Sequence, residues 1–108
     1  MCEFEYDRTY IEKNDKYEIL KVVWPPESKS KAHDHGKSLG WIFVLSGRIY
    51  QDVYEKETKQ FLHRTYHGPG EMVRETSNII HVMGNPTGED AVTAHFYTPP
   101  LKMKYYDL

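Results

Sequence analysis

"WIFVLSGRIYQDVY", residues 41–54, contains two β-type runs on either side of a Ser-Gly pair. The runs WIFVL (41–45) and RIYQDVY (48–54) are rich in β-branched and aromatic residues, which favour strands over helices. Ser46-Gly47 signals a tight turn, because glycine accepts backbone conformations that other residues avoid. The stretch therefore predicts two strands joined by a short turn, and it sets the pattern for the rest of the chain.

Similar runs recur on both sides of this stretch, and turn residues separate them. They lie at residues 17–24, 59–67, 78–83 and 91–97, and GPGEMV (68–73) predicts a turn that enters a further strand. The periodicity of an amphipathic helix is not evident. About seven or eight short strands at this spacing predict an all-β domain, either a sandwich or a barrel.

Composition and charge exclude several classes of protein. A chain of 108 residues predicts one domain, which we assign to residues 1–108 with a short N-terminal extension. Hydrophobic residues make up 39%, charged residues 28%, and the net charge is −2, so we expect a folded protein that binds neither nucleic acid nor a membrane. The N-terminus lacks a signal-peptide pattern and Cys2 is the only cysteine, which suits the cytoplasm. None of this favours one oligomeric state over another.

Two histidines stand one residue apart in KAHDHGKSLG, residues 31–40. In an extended chain His33 and His35 face the same side and could bind one metal ion, while Asp34 points away. By itself this spacing is more often that of exposed or salt-bridged histidines than of metal ligands. Four more side chains are expected to be structural or solvated: His63, His67, Glu71 and Glu75.

The spacing of further residues resembles the two motifs of the cupin superfamily. Gly40 and Gly47 follow His35 after four and then six intervening residues, and His81 precedes Asn85 by four. The resemblance implies a small antiparallel cupin barrel, also called a double-stranded β-helix, which is jelly-roll-like and holds a metal inside. Gly40 stands where most cupins have a glutamate ligand.

A more specific resemblance is to the thiol dioxygenases, and to cysteine dioxygenase of the bacterial type in particular. The similar segments are YDR at residues 6–8, HDHGKSLG at 33–40, the single His81, and HFYTPP at 95–100. The resemblance implies that Fe(II) is bound by three ligands: His33, His35 and His81. It also implies oxidation of L-cysteine to cysteine sulfinate by O2.

The missing glutamate has a consequence for charge. Three neutral imidazoles leave the metal with its full double charge, which attracts a thiolate and lowers its pKa. In mammalian relatives a cysteine at this position is crosslinked to a tyrosine, which Gly40 excludes here. We also expect Gly40 to leave room beside the metal for substrate.

The resemblance assigns the substrate side of the site as well. Arg8, next to Tyr6, would hold the substrate carboxylate through two parallel hydrogen bonds, and mercaptopropionate dioxygenases tend to have glutamine there. Trp24 would lie near the pocket. From the residues alone, Arg8 is more often a solvated surface charge, since most arginines are exposed, and Trp24 is at least as often a core residue.

Three alternating residues on one predicted strand complete the assignment. Thr93, His95 and Tyr97 share one face and resemble a hydroxyl–imidazole–phenol chain beside the iron. His95 would orient Tyr97, which would donate a hydrogen bond to the substrate or to oxygen. An ordinary half-buried strand is the alternative interpretation of this triplet.

Two other functions remain open at this point. One is a non-catalytic metal-binding cupin that serves as a small-ligand sensor or a storage protein, since three histidines also suit zinc or nickel. The other is a dioxygenase for a different small thiol, such as mercaptopropionate.

Overall fold

A computed structural model describes residues 7–76, 79–100 and 104–106 of the chain. Within these ranges all regular structure is β, as predicted. The strands are β1 (Asp7–Lys13), β2 (Glu18–Trp24), β3 (His33–Asp34), β4 (Leu39–Ser46), β5 (Ile49–Glu55), β6 (Phe61–His67), β7 (Met72–Glu75), β8 (Ile79–Gly84), β9 (Ala91–Thr98) and β10 (Lys104–Tyr105). No helix in the described ranges is long and apolar enough to cross a membrane.

The strands form two five-stranded antiparallel sheets. The first has the order β1-β2-β9-β4-β7, and the second has the order β10-β3-β8-β5-β6. β1–β2 and β5–β6 are pairs of consecutive strands, whereas the other neighbours in each sheet are not consecutive in the sequence, as in a wound barrel rather than a simple meander. Both sheets contribute side chains to the interior, where the candidate functional residues lie.

The predicted tight turn after residue 45 is present, and it moves the chain from one sheet to the other. β4 pairs with β7 and β9, whereas β5 pairs with β6 and β8. Gly47 has φ of +78°, and a Cβ there would lie 2.7 Å from the backbone Cα of Ala91. Glycine is therefore required at this corner both by conformation and by space.

Alternation along the strands builds the core. In β2 the inward residues Leu20, Val22 and Trp24 are at most 2% exposed, and their neighbours are less buried. The strongest apolar cluster is formed by Val22, Trp24, Ile42, Val44, Ile49, Val73, Met83 and Ala91. Each large aliphatic side chain buried in this way contributes about 1.5–3 kcal/mol to folding.

Three strands lie where the sequence pattern predicted none. β1 carries Arg8, so this residue belongs to the edge of the first sheet. β3 and β10 have two residues each and pair with one another, with Tyr105 opposite His33. These short pieces position the histidine pair next to the rest of the site.

Candidate metal centre

Three histidines converge on one point inside the barrel. His33 on β3 and His81 on β8 are cross-strand partners, and His35 follows β3 directly. The Nε2 atom of His81 lies 2.9 Å from Nε2 of His33 and 3.1 Å from Nε2 of His35. All three are at most 6% exposed. They are the group in the described ranges whose ligand atoms lie close enough together to hold a metal ion.

Hydrogen bonds on the outer side of two rings determine which nitrogen faces the centre. Nδ1 of His33 lies 2.6 Å from the carbonyl oxygen of Lys31, and Nδ1 of His81 lies 2.8 Å from Oε1 of Glu75. A carbonyl and a carboxylate only accept, so each Nδ1 carries the proton and each Nε2 presents a lone pair. Lone pairs that face each other at about 3 Å repel, and a cation between them removes that repulsion. The donor set therefore fits a metal ion.

Burial keeps these histidines neutral at ordinary pH. It lowers the pKa of His33 and of His81 to about 3, and that of His35 to about 2. For His33 and His35 the charge on His81 is the next largest cause of the lowering. Neutral imidazole is the form that binds a metal.

The prediction that Glu75 is solvated is wrong. Its side chain is fully buried on β7, because Glu75 and Val73 alternate with exposed neighbours and both face inward. Burial raises the pKa of Glu75 to about 7. Glu75 contacts the Nδ1 side of His81, so it lies behind a candidate ligand and not among the ligand atoms. Glu71 is exposed, as expected.

The expectation that Gly40 leaves room for substrate is also wrong. A Cβ at residue 40 would lie 2.6 Å from Cε1 and 2.7 Å from Cδ1 of Tyr97, so the phenol ring fills that space. Any larger residue at this position would displace the ring. Gly40 therefore accommodates Tyr97, and the Tyr97 ring in turn lies 5.2 Å from the ring of His35, centroid to centroid.

The three predicted residues of β9 form one hydrogen-bonded chain. Oγ1 of Thr93 lies 2.6 Å from Nε2 of His95, and Nδ1 of His95 lies 2.9 Å from the hydroxyl of Tyr97. The indole N–H of Trp24 donates to Oγ1 of Thr93 over 3.0 Å. Burial lowers the pKa of His95 to about 3. The chain thus consists of neutral groups and ends at the phenol beside the metal centre.

The predicted substrate residues lie around a small cavity. Arg8 is exposed at the edge of the first sheet, while Trp24 is 2% exposed and belongs to both the core and the cavity. The cavity has a volume of about 30 Å³, and its lining residues are Arg8, Leu20, Val22, Trp24, Ser30, His33, His81, Met83, His95 and Tyr97. Tyr6 lies outside the described residues.

The sequence analysis missed the roles of two residues near the centre, because Glu75 was expected to be solvated and Gln51 was not singled out. Glu75 could have been found from the Val73–Glu75 alternation in β7. Gln51 lies two residues before Val53, the cross-strand partner of His81, and so shares its face. Both faces of β5 are buried around Gln51, so no alternation marks it in the sequence.

Comparisons with known proteins agree with this architecture. Residues 3–107 match the protein family described as cysteine dioxygenase type I. A conserved protein with a double-stranded β-helix domain from Klebsiella pneumoniae subsp. pneumoniae superposes with a TM-score of 0.78 at 13% identity, covering 96% of this chain and 86% of that one. An RmlC-like cupin family protein from Methanocaldococcus jannaschii superposes with a TM-score of 0.72 at 11% identity, and the superposition covers 89% of this chain and 82% of that one. The predicted cupin fold is confirmed.

Proposed function

The chain belongs to the cysteine dioxygenase type I family, and we propose that it oxidises a small thiol, L-cysteine first, with O2 at a mononuclear Fe(II) centre. The product is cysteine sulfinate. Both oxygen atoms of O2 are added to sulfur, which loses four electrons while O2 gains four, so no further reductant is needed. The thiol proton is released, because a sulfinic acid is ionised at neutral pH.

His33, His35 and His81 would hold the iron. The observation that carries the proposal is the convergence of their Nε2 atoms, in a group to which no carboxylate of residues 7–76, 79–100 or 104–106 belongs. When bound, iron supplies the site for thiolate and O2 and the redox chemistry between them. A three-imidazole site retains the full charge of Fe(II), which favours a thiolate over a neutral thiol.

Arg8 would bind the substrate carboxylate. It lies on the cavity lining together with His33 and His81, so a carboxylate held there is next to the metal centre. A guanidinium binds a carboxylate through two parallel hydrogen bonds and fixes its orientation. Arg8 is exposed, and there it would select among small thiols by charge.

Tyr97 would act as a hydrogen-bond donor to the substrate or to oxygen. We assign the direction of donation from Trp24 through Thr93 and His95 to Tyr97, because an indole N–H only donates. With His95 donating to the phenol oxygen, the phenol hydrogen is directed towards another acceptor. This positions one proton donor without placing a charge in the barrel.

The test is product formation with defined metals. Metal-free protein reconstituted with Fe(II) under anaerobic conditions is mixed with oxygenated L-cysteine, and O2 uptake and sulfinate are both measured. We expect one O2 consumed per sulfinate with Fe(II) and no turnover with Zn(II). Iron bound at one equivalent without sulfinate from any small thiol contradicts the proposal. Turnover of 3-mercaptopropionate in preference to cysteine reassigns the substrate within the same reaction.

The small cavity favours one alternative, a non-catalytic metal-binding cupin. A cavity volume of about 30 Å³ leaves little space for a ligand beside the three histidines. Metal analysis of untagged protein distinguishes the two functions: stoichiometric zinc or nickel with no thiol oxidation supports the alternative. A cytoplasmic location is part of the main proposal, because free thiols persist in a reducing compartment.

A further inference from the structure

We propose that Glu75, supported by Gln51, is a positioning residue that orients His81 and strengthens it as a metal ligand. This inference rests on the metal site of the proposed function and not on its thiol chemistry. It assigns a role to a buried carboxylate that lies next to the centre without being one of its ligands.

The geometry places the carboxylate on the outer side of the ligand ring. Oε1 of Glu75 lies 2.8 Å from Nδ1 of His81 and 3.7 Å from Nδ1 of His35. Only the first distance is a hydrogen bond. Glu75 therefore fixes the tautomer and rotation of one ring and is close to a second.

Gln51 holds the other oxygen of the carboxylate. A carboxylate only accepts hydrogen bonds, so the amide nitrogen of Gln51 faces it and donates to Oε2 over 2.5 Å and to Oε1 over 3.1 Å. The same nitrogen lies 2.8 Å from Nδ1 of His81, so the Nδ1 hydrogen is directed to the carboxylate and not to Gln51. Gln51 is 7% exposed and reaches Glu75 from the opposite sheet. The carboxylate thus has a partner on each oxygen, and its position is fixed from both sheets.

The register relates Glu75 to the glutamate that this chain lacks. Glu75 on β7 is the cross-strand partner of Gly40 on β4, and its Cβ lies 3.2 Å from where a Cβ at residue 40 would be. Gly40 is the position at which most cupins have an acidic ligand. In this chain the acidic side chain therefore comes from Glu75 on the neighbouring strand, and its carboxylate contacts Nδ1 of His81 instead of the metal position.

This arrangement predicts opposite effects on metal binding and on folding. A carboxylate bonded to Nδ1–H raises the basicity of Nε2, and loss of such a partner typically costs about 10–100-fold in metal affinity. A buried carboxylate also costs folding free energy, because it is removed from water. Replacing Glu75 should therefore weaken the metal site without destabilising the metal-free protein.

The experiment compares Glu75→Gln with Glu71→Gln in the full chain. Glutamine has nearly the same shape as glutamate but no charge. Glu71 is the control because it is an exposed glutamate that directly precedes β7. Dissociation constants for Fe(II) and Co(II) are measured anaerobically by competition with a chromophoric chelator. The melting temperature of each metal-free protein is measured at pH 8.

We expect the dissociation constant of Glu75→Gln to rise about 10–100-fold, with Glu71→Gln unchanged. The metal-free melting temperature of Glu75→Gln should be equal to or above that of the parent protein. Gln51→Ala should weaken binding less, since it leaves the carboxylate in place. In the metal-free parent protein, ¹⁵N NMR should find the proton of His81 on Nδ1.

Three results would overturn the inference. They are an unchanged dissociation constant in Glu75→Gln, no metal binding by the parent protein, and a fall in metal-free melting temperature that accounts for the weaker binding. The last would make Glu75 a structural residue. Failure of the proposed function is a separate observation, namely a protein that binds iron with the expected Glu75 dependence but forms no sulfinate.

Discussion

The hydroxyl of Tyr106 donates a hydrogen bond of 2.5 Å to Oδ2 of Asp34, the residue between His33 and His35. Asp34 also accepts from the backbone N–H of Gly36 over 2.9 Å. Because Asp34 faces away from the metal centre, these bonds hold the histidine pair from behind. The backbone near the C-terminus is thus part of the support for the site.

Tyr106→Phe should destabilise this support. It removes one charge-assisted hydrogen bond and keeps the ring, so we expect a lower free energy of unfolding, measured by urea denaturation. Affinity for Co(II) should fall as well. Tyr10→Phe, at an exposed ring on β1, is the control and should change neither quantity. Equal behaviour of the two variants contradicts the role given to Tyr106.

The strands could be predicted because their signals are local, and the three candidate ligands because the chain resembles the thiol dioxygenases. Runs such as 17–24 and 91–97 are rich in β-branched and aromatic residues, and the structure has β2 and β9 there. The pairing of β4 and β5 with different sheets could not be predicted, because it depends on residues far apart in the chain. β3 and β10 have two residues each, which is too short for any periodicity.

The surroundings of the ligands were harder to predict than the ligands. Glu75 is a charged residue in a four-residue strand, and composition alone predicts such a residue to be solvated. Only the alternation along β7, in which Val73 is the apolar residue two positions earlier, indicates that Glu75 faces inward. The sequence did not show that the space at Gly40 is filled, because the ring that fills it belongs to Tyr97 on β9, 57 positions later in the chain.

Tyr97→Phe tests the proton donor. The phenol oxygen lies 2.9 Å from Nδ1 of His95, and its removal leaves the aromatic ring over Gly40. We expect kcat/KM for cysteine to fall about 100–1,000-fold, as for loss of one donor to a reacting oxygen. Iron content should stay at one equivalent. An unchanged kcat/KM contradicts donation by Tyr97, whereas loss of iron would indicate a structural role instead.

Arg8→Ala tests recognition of the substrate carboxylate. Loss of a charge-assisted pair of hydrogen bonds typically costs about 1.5–3 kcal/mol, which is about 10–100-fold in kcat/KM for cysteine. Cysteamine has no carboxylate, so its kcat/KM should not fall. Arg48→Ala, at a cation–π contact with Tyr66 on the outer surface, is the control. Equal losses for cysteine and cysteamine contradict the assignment.

As the pH falls, the metal-free protein should lose stability at pH values above those at which ordinary carboxyl groups titrate. Burial lowers the pKa of four histidines from 6.5 to about 3 or below: His33, His35, His81 and His95. The unfolded chain therefore binds protons that the folded chain does not, and stability is lost as pH falls below about 6.5. Glu75 acts in the opposite direction between pH 4.5 and about 7, because its pKa is raised.

Four histidines outweigh one glutamate, so the free energy of unfolding should decrease from pH 6.5 to pH 5. From pH 6.5 to pH 7.5 the histidines of the unfolded chain lose their remaining protons while Glu75 ionises in the folded chain. Because these two effects oppose each other, the free energy of unfolding should change less there than it does below pH 6.5. Urea denaturation of the metal-free protein at half-unit intervals measures the curve. Glu75→Gln should make the free energy of unfolding rise more steeply with pH across this range, because it removes the opposing titration. A free energy that is constant between pH 5 and 6.5 contradicts the burial of neutral histidines.

Glu18→Met should stabilise the protein. The Glu18 side chain is 1% exposed and faces inward from β2, and neither carboxylate oxygen has a hydrogen-bond partner in the part of the chain that the structure describes. Lys13 is the nearest cation, at 4.0 Å and half exposed, and such a contact contributes about 0–1 kcal/mol. An unpartnered buried polar group costs about 1–3 kcal/mol, so its replacement by an apolar side chain of similar length should raise the free energy of unfolding by about that amount.

The matched control for this substitution is Glu57→Met, at an exposed glutamate in the turn between β5 and β6. It should leave the free energy of unfolding within about 0.5 kcal/mol of the parent value, as surface changes usually do. Urea denaturation of both variants at pH 7 gives the comparison. If Glu18→Met instead lowers stability while keeping iron bound, Glu18 contributes an interaction in the folded protein. The cost of an unpartnered carboxylate would then be the wrong account of this position.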